Sequence, residues 1–237
     1  MMSVDSYDIE GDSAFAFTEK SVRMGFIRKV YGLLCVQLVI TFGLVAIIVL
    51  IPQVKEFVIN NPALFYSALG ITFAMIIILA CCGEFRRKTP HNFIALILFT
   101  ICEGYLLGCA SATFDAWEVM VAIGATIIVA LALTVFAFQT KWDFTLKGGM
   151  LYVFLIMLII FGIFGGIFHN QVLNILYACI GALIFSAYIV FDTQLMLGGN
   201  HKLTISPEEY VFAALNLYLD VVNLFLYLLI IFSGGKR

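Results

Sequence analysis

Residues 148–168 read GGMLYVFLIMLIIFGIFGGIF, without one charged side chain. A hydrocarbon core about 30 Å thick needs roughly 20 apolar residues at a helical rise of ~1.5 Å, so this stretch is long enough to cross a bilayer. Working outward from it, six more stretches meet the same length: 30–51, 62–83, 91–112, 118–138, 172–197 and 210–232. Lipid offers the backbone no hydrogen bonds, so spans this continuous must be helices; a barrel would show shorter segments alternating apolar and polar. The sequence therefore predicts an all-α polytopic membrane protein, a seven-transmembrane-helix bundle. Residues 30–232 form its single membrane domain, between a cytosolic tail at 1–29 and a short tail at 233–237.

Composition agrees. Of 237 residues, 63% are hydrophobic and 12% charged, against roughly 45–50% and about 25% in soluble domains. Lipid is the main partner implied. Lys and Arg number 13 against 15 Asp and Glu, which leaves no basic surface for phosphates and argues against nucleic acid. Cys35, Cys81, Cys82, Cys102, Cys109 and Cys179 fall inside or at the edge of apolar runs, where thiols behave as small hydrophobes. The Cys81-Cys82 pair, just before Arg86, is the one place where palmitoylation would fit. His91, His169 and His201 are too far apart for zinc spacing. The first apolar stretch begins only near Val30, a poor match to a cleaved signal. The acidic segment Met1–Thr18 is expected to lack structure.

Short connections make successive helices antiparallel neighbours and leave no room for a soluble domain. Pro52 and Pro62 bracket the first loop, Pro90 opens the third helix, and Ser206-Pro207-Glu208-Glu209 reads as an N-cap, a first-turn proline and first-turn acids. With the N-terminus cytosolic, Lys20, Arg23, Arg28, Lys29, Arg86, Arg87, Lys88, Lys141, Lys147 and Lys202 lie inside, and only Lys55, Lys236 and Arg237 outside. The last two would return to the cytosol if 210–232, which carries Asn216, Asp220 and Asn223, were a re-entrant helix after six spans. Crossing is the preferred reading.

An aspartate at the bilayer centre costs at least about 2.5–3.5 kcal/mol on insertion scales, so such acids face a protein interior or a water cavity and mark function. Glu103, Asp192 and Asp220 qualify. Asp192 lies near the end of the sixth span and Asp220 near the middle of the seventh, at depths of roughly 9 and 15 Å from the same cytosolic loop. The two carboxyls can therefore meet. Like charge and desolvation both favour the neutral form, so a meeting pair shares a proton and senses pH. It is also a weak oxygen site for Ca²⁺, suited to permeation or gating; two carboxylates alone do not make a tight site for an ion that takes six to eight oxygens. The plainer alternative has each acid filling a polar gap beside Thr193, Asn216 or Tyr188.

Glu103 is a candidate pore acid with satisfied packing as its alternative. Gly104 and Gly108 form a small-xxx-small face for close helix approach, and Gly162, Gly165 and Gly166 are read as packing glycines. Arg86 and Arg87, with Lys88, anchor the second helix in the cytosol; their functional alternative is a latch on Asp192. Two intramembrane aspartates also describe an aspartyl protease. The context Tyr218-Leu219-Asp220 lacks the Gly-x-Gly-Asp of presenilin-type proteases, so an enzyme is not expected.

Four motifs carry a resemblance: Phe26-Ile27-Arg28-Lys29-Val30-Tyr31, Ala187-Tyr188-Ile189-Val190-Phe191-Asp192-Thr193-Gln194, Ser206-Pro207-Glu208-Glu209-Tyr210, and Ala213-Ala214-Leu215-Asn216-Leu217-Tyr218-Leu219-Asp220. Together they resemble the lifeguard branch of the transmembrane Bax-inhibitor-motif family, from about Arg23 to Phe232. The resemblance implies a seven-helix bundle that leaks Ca²⁺ from internal stores in a pH-sensitive way and dampens apoptosis. Asp192 and Asp220 would be its pH sensor and calcium gate, Arg86 would fall near its basic latch, and Glu103 would match the acid of lifeguard and Golgi anti-apoptotic members. It implies no cofactor, with Ca²⁺ as the permeant ion, and an endoplasmic reticulum or Golgi membrane; the plasma membrane is also open. The competing reading is a non-conducting scaffold that binds calcium channels or apoptosis regulators such as death-receptor components. No long proline-rich N-terminal extension, as in some lifeguard members, is expected to serve partners here.

Overall fold

The computed structural model describes the backbone of residues 5–168, 170–198 and 203–235 and, within these, the side chains outside 5–20, 85–86 and 165–168. Among the described residues there are nine α-helices and no strand: α1 (Asp5–Leu50), α2 (Pro52–Asn60), α3 (Pro62–Cys81), α4 (Gly83–Arg87), α5 (His91–Ser111), α6 (Ala116–Gln139), α7 (Gly148–Phe168), α8 (Gln171–Leu197) and α9 (Tyr210–Phe232). Seven stretches, beginning with Ser21–Leu50 of α1 and ending with Pro207–Phe232, are long and apolar enough to cross a membrane. The seven-helix reading of the sequence holds.

Local chemistry sets the boundaries. Pro52 and Pro62 stand in the first turns of α2 and α3, where a missing N–H costs nothing. The Asp115 and Glu118 side chains form a reciprocal capping box at the start of α6. Ser206 accepts from the Glu208 amide and opens a 3₁₀ turn, Pro207–Glu209, that leads into α9. Gly198 ends α8 at φ +60°, a left-handed conformation that glycine adopts without strain.

Three features depart from or refine the sequence reading. Helix α1 begins at Asp5, although an unstructured Met1–Thr18 is predicted; no proline precedes Pro52, so nothing in the chain breaks the helix. The connections hold two helices of 9 and 5 residues, α2 and α4. Helix α9 runs unbroken for 23 residues, about 35 Å, without the internal reversal a re-entrant segment requires. Arg86, Gly165, Gly166, His169, His201, Lys202, Lys236 and Arg237 lie outside the described side chains.

The bundle is built around α9, which packs against α8, α1, α6 and α5. Leu217, Tyr218, Asp220, Val221, Val222, Leu224 and Phe225 are all buried, a nearly continuous run that no single helical stripe would give. The Phe225 ring meets Phe42 of α1 at 5.4 Å and Tyr218 meets Phe99 of α5 at 5.9 Å, both edge-to-face. The Tyr218 hydroxyl also bonds Thr41 Oγ1 of α1 at 2.8 Å. Helices α3 and α7 are outer members, α3 against α5 and α7 against α8. A Cβ on Gly104 would come within 3.1 Å of the Thr41 backbone, and one on Gly108 within 2.4 Å of Ile48. The glycines read as a small-xxx-small face thus seat α5 on α1.

Candidate functional site

Helices α8 and α9 are antiparallel neighbours, and their facing turns bring Asp192 and Asp220 together. Their carboxyl groups border one cavity, and only 8% and 6% of the two residues is accessible. Two carboxylates contain no donor, so the pair can join through a direct hydrogen bond only when one of them carries a proton. The buried Oδ2 of Asp220 has no hydrogen-bond partner, and among the described residues no basic side chain forms an ion pair with either acid. The pair lines a cavity of about 650 Å³ between α7, α8 and α9, which Tyr188, Asn216, Asn223 and Tyr227 also border. Oxygen ligands are thus present around the pair, without a third acid, cysteine or histidine drawn to it among the described residues.

Neighbours of Asp192 hold its turn in place. The Tyr31 hydroxyl of α1 lies 3.1 Å from Thr193 Oγ1. Gln194 is fully buried; its amide donates to the Trp142 carbonyl at 2.9 Å and its oxygen accepts from the Phe144 amide at 2.8 Å. The α6–α7 connection is thereby clamped to the end of α8. Of the plainer partners considered for the acids, Thr193 bonds Tyr31, while Asn216 and Tyr188 border the cavity.

The near end of the bundle, where α8 connects to α9, is closed by ionic contacts. Arg87 of α4 forms an ion pair with Glu209, its Nε 2.8 Å from Oε1. The latch predicted between this arginine and Asp192 is therefore not formed: α4 sits at the rim against the start of α9, and Glu209 lies at that level whereas Asp192 lies deeper. Arg23 donates to the Ile205 carbonyl at 2.7 Å and packs over Gly198, where a Cβ would fall 2.8 Å from its guanidinium. The Lys29 ammonium sits 4.4 Å from the Tyr210 ring centre, and Asn92 of α5 donates to the Tyr210 hydroxyl at 3.3 Å. Glu209 belongs to a motif quoted above, but spacing offers no signal for a partner 122 residues away.

Glu103 stands apart from the pair. It is partly buried on α5, which packs on α1, α3 and α9, outside the α7–α8–α9 cavity. Around it lies a separate polar layer in which Gln37 donates to Thr100 at 3.1 Å and Thr41 meets Tyr218.

Fold and site together define a seven-span helical membrane protein with two buried aspartates on one cavity. The family model described as inhibitor of apoptosis-promoting Bax1 matches residues 23–237. The chain belongs to this Bax-inhibitor family. It is 40% identical over 215 residues to human protein lifeguard 3, covering 89% of this chain and 69% of that protein, and 38% identical to the mouse protein over the same shares. The Golgi anti-apoptotic protein of vaccinia virus (strain Lister) is 35% identical over 226 residues, 94% of this chain and 90% of the viral protein.

Proposed function

We propose that the protein is a proton-regulated Ca²⁺ leak path of an intracellular membrane, Golgi or endoplasmic reticulum, which lowers store Ca²⁺ and restrains apoptosis, with its N-terminus in the cytosol. The observation that carries this reading is the buried Asp192–Asp220 pair on one cavity with further oxygen ligands. While one proton bridges the carboxyls, α8 is tied to α9 and the pair presents one negative charge. When that proton leaves, two like charges in contact repel, and the separated carboxylates offer oxygens to a cation. Arg87–Glu209 and the Arg23 contacts form the rim that must loosen for ions to pass. Glu103, outside the cavity of the acid pair, serves as a second acid in the path. The names of the lifeguard and Golgi anti-apoptotic relatives support the apoptotic role and the compartment.

The deciding experiment is Ca²⁺ efflux from proteoliposomes holding the full-length protein across a pH series. Asp192→Asn and Asp220→Asn should each change the rate and flatten its pH dependence. If both variants behave as the parent does, the sensor assignment is wrong. The rim contacts that close the near end would equally suit a non-conducting scaffold that binds channels or death-receptor components; a protein that conducts no Ca²⁺ at any pH yet still protects cells would establish that second reading.

A further inference from the structure

A second cavity, of about 690 Å³, lies at the far end of the bundle, where Thr113, Asp115, Glu118 and Ser233 border it beside the α5–α6 turn and the end of α9. Asn223 and Tyr227 line both this vestibule and the chamber of the acid pair. These side chains are the partition between the two spaces. The Tyr227 hydroxyl is 3.2 Å from that of Tyr177, and their rings meet edge-to-face at 5.5 Å. Phe185 stacks on the other side of the Tyr227 ring at 5.7 Å.

The partition is seated on two glycines. A Cβ on Gly181 would fall 2.5 Å from Tyr227 Cε1, and one on Gly162 would fall 2.6 Å from the Tyr177 hydroxyl. Both distances are shorter than any van der Waals contact, so the tyrosines rest where only glycine leaves room. Asn223 donates its amide nitrogen to the Leu219 carbonyl at 2.8 Å, which leaves its side-chain oxygen as a free acceptor at the junction. An acceptor beside two hydroxyls, with no cationic side chain among the lining residues, suits water and cations better than anions.

We propose that Tyr177, Tyr227 and Asn223 form a far-end gate, through which cations pass from the vestibule to Asp192 and Asp220 when the Tyr227 ring leaves its seat on Gly181. The proposal rests on the leak-path reading and adds to it a second barrier, remote from the rim at Arg87. The tyrosine–tyrosine hydrogen bond holds the gate shut, and the Asn223 oxygen carries the ion across the junction.

Two readouts test it in the full-length protein in liposomes. Tyr177→Phe keeps the ring and removes one hydroxyl, so Ca²⁺ efflux should rise about fivefold, the effect of one lost hydrogen bond on the closed state. Asn223→Leu should lose most of the flux. Independently of conduction, Asn216→Cys places a thiol in the inner chamber. Its labelling by a charged, membrane-impermeant thiosulfonate from the far end, resolved at that site by mass spectrometry, should accelerate about fivefold when Tyr177→Phe is added. If the aspartate variants alter flux but Tyr177→Phe moves neither efflux nor labelling, the gate is wrong and the leak path stands. If the parent protein conducts nothing, labelling alone decides: acceleration supports gated access to the chamber, and an unchanged rate overturns it.

Discussion

Helices α7 and α9 have similar length and hydropathy, yet 11% of the most apolar window of one span and 50% of the other is buried inside the protein. In water the more apolar helix would go inward; in lipid that rule has no force, because a hydrocarbon tail solvates leucine as well as a protein core does. What separates the two is the polar minority. Helix α9 carries Asn216, Asp220 and Asn223, which need protein partners, together with Ala213 and Ala214, which let neighbours come close. Helix α7 presents Ile163, Phe164 and Met157 outward and touches mainly α8. In this bundle the polar residues mark the inside.

The contrast can be broken by substitution. Tyr218→Ala removes a fully buried ring and its bond to Thr41, and should cost about 3–5 kcal/mol in detergent unfolding. A loss below about 1 kcal/mol would show that α9 is not the core. Next in size is the pH response. Under the proposed mechanism the bridged carboxyl pair holds a proton that the separated pair releases, so raising the pH should favour the separated state. Ca²⁺ efflux should therefore rise with pH in the parent and stay level in the Asp192→Asn/Asp220→Asn double variant; efflux that falls as pH rises would reverse the assignment of open and closed states. Arg87→Ala leaves Glu209 buried without this partner. Because Arg87 is itself half exposed, the loss should be only about 1–2 kcal/mol, and it should come with faster efflux. Smallest is Ile163→Ala on the lipid face of α7, expected within about 0.5 kcal/mol of the parent by the same unfolding assay.

Much of this was legible in the sequence because the bilayer imposes lengths. Seven apolar runs gave seven spans, and counting residues from a shared loop placed Asp192 and Asp220 at nearby depths. Lateral arrangement was not legible: nothing in a hydropathy pattern says that α9 is central or that Glu103 lies outside the cavity of the acid pair. Partner choice was equally hidden. Arg87 has several acids within plausible reach along the chain, and only the placement of α4 selects Glu209. Tyr177, Tyr227 and Gly181 carry no signal in the sequence, and Gly162 reads there as a packing glycine; only the folded distances pair them. The short helices α2 and α4 fall below the length that a membrane-span pattern can detect.

The position of α9 also bears on how the protein is made. Helices leave the ribosome in chain order, so the span that carries Asp220 and two asparagines follows six others. Alone in lipid it would insert at a cost, since each polar residue raises the cost of entry. Its predecessors can stand in the membrane first, with Thr41, Phe99 and Asp192 already facing a slot, and the late-arriving helix then exchanges the translocon for protein rather than for hydrocarbon. Synthesis order thus makes the central span the one that completes assembly.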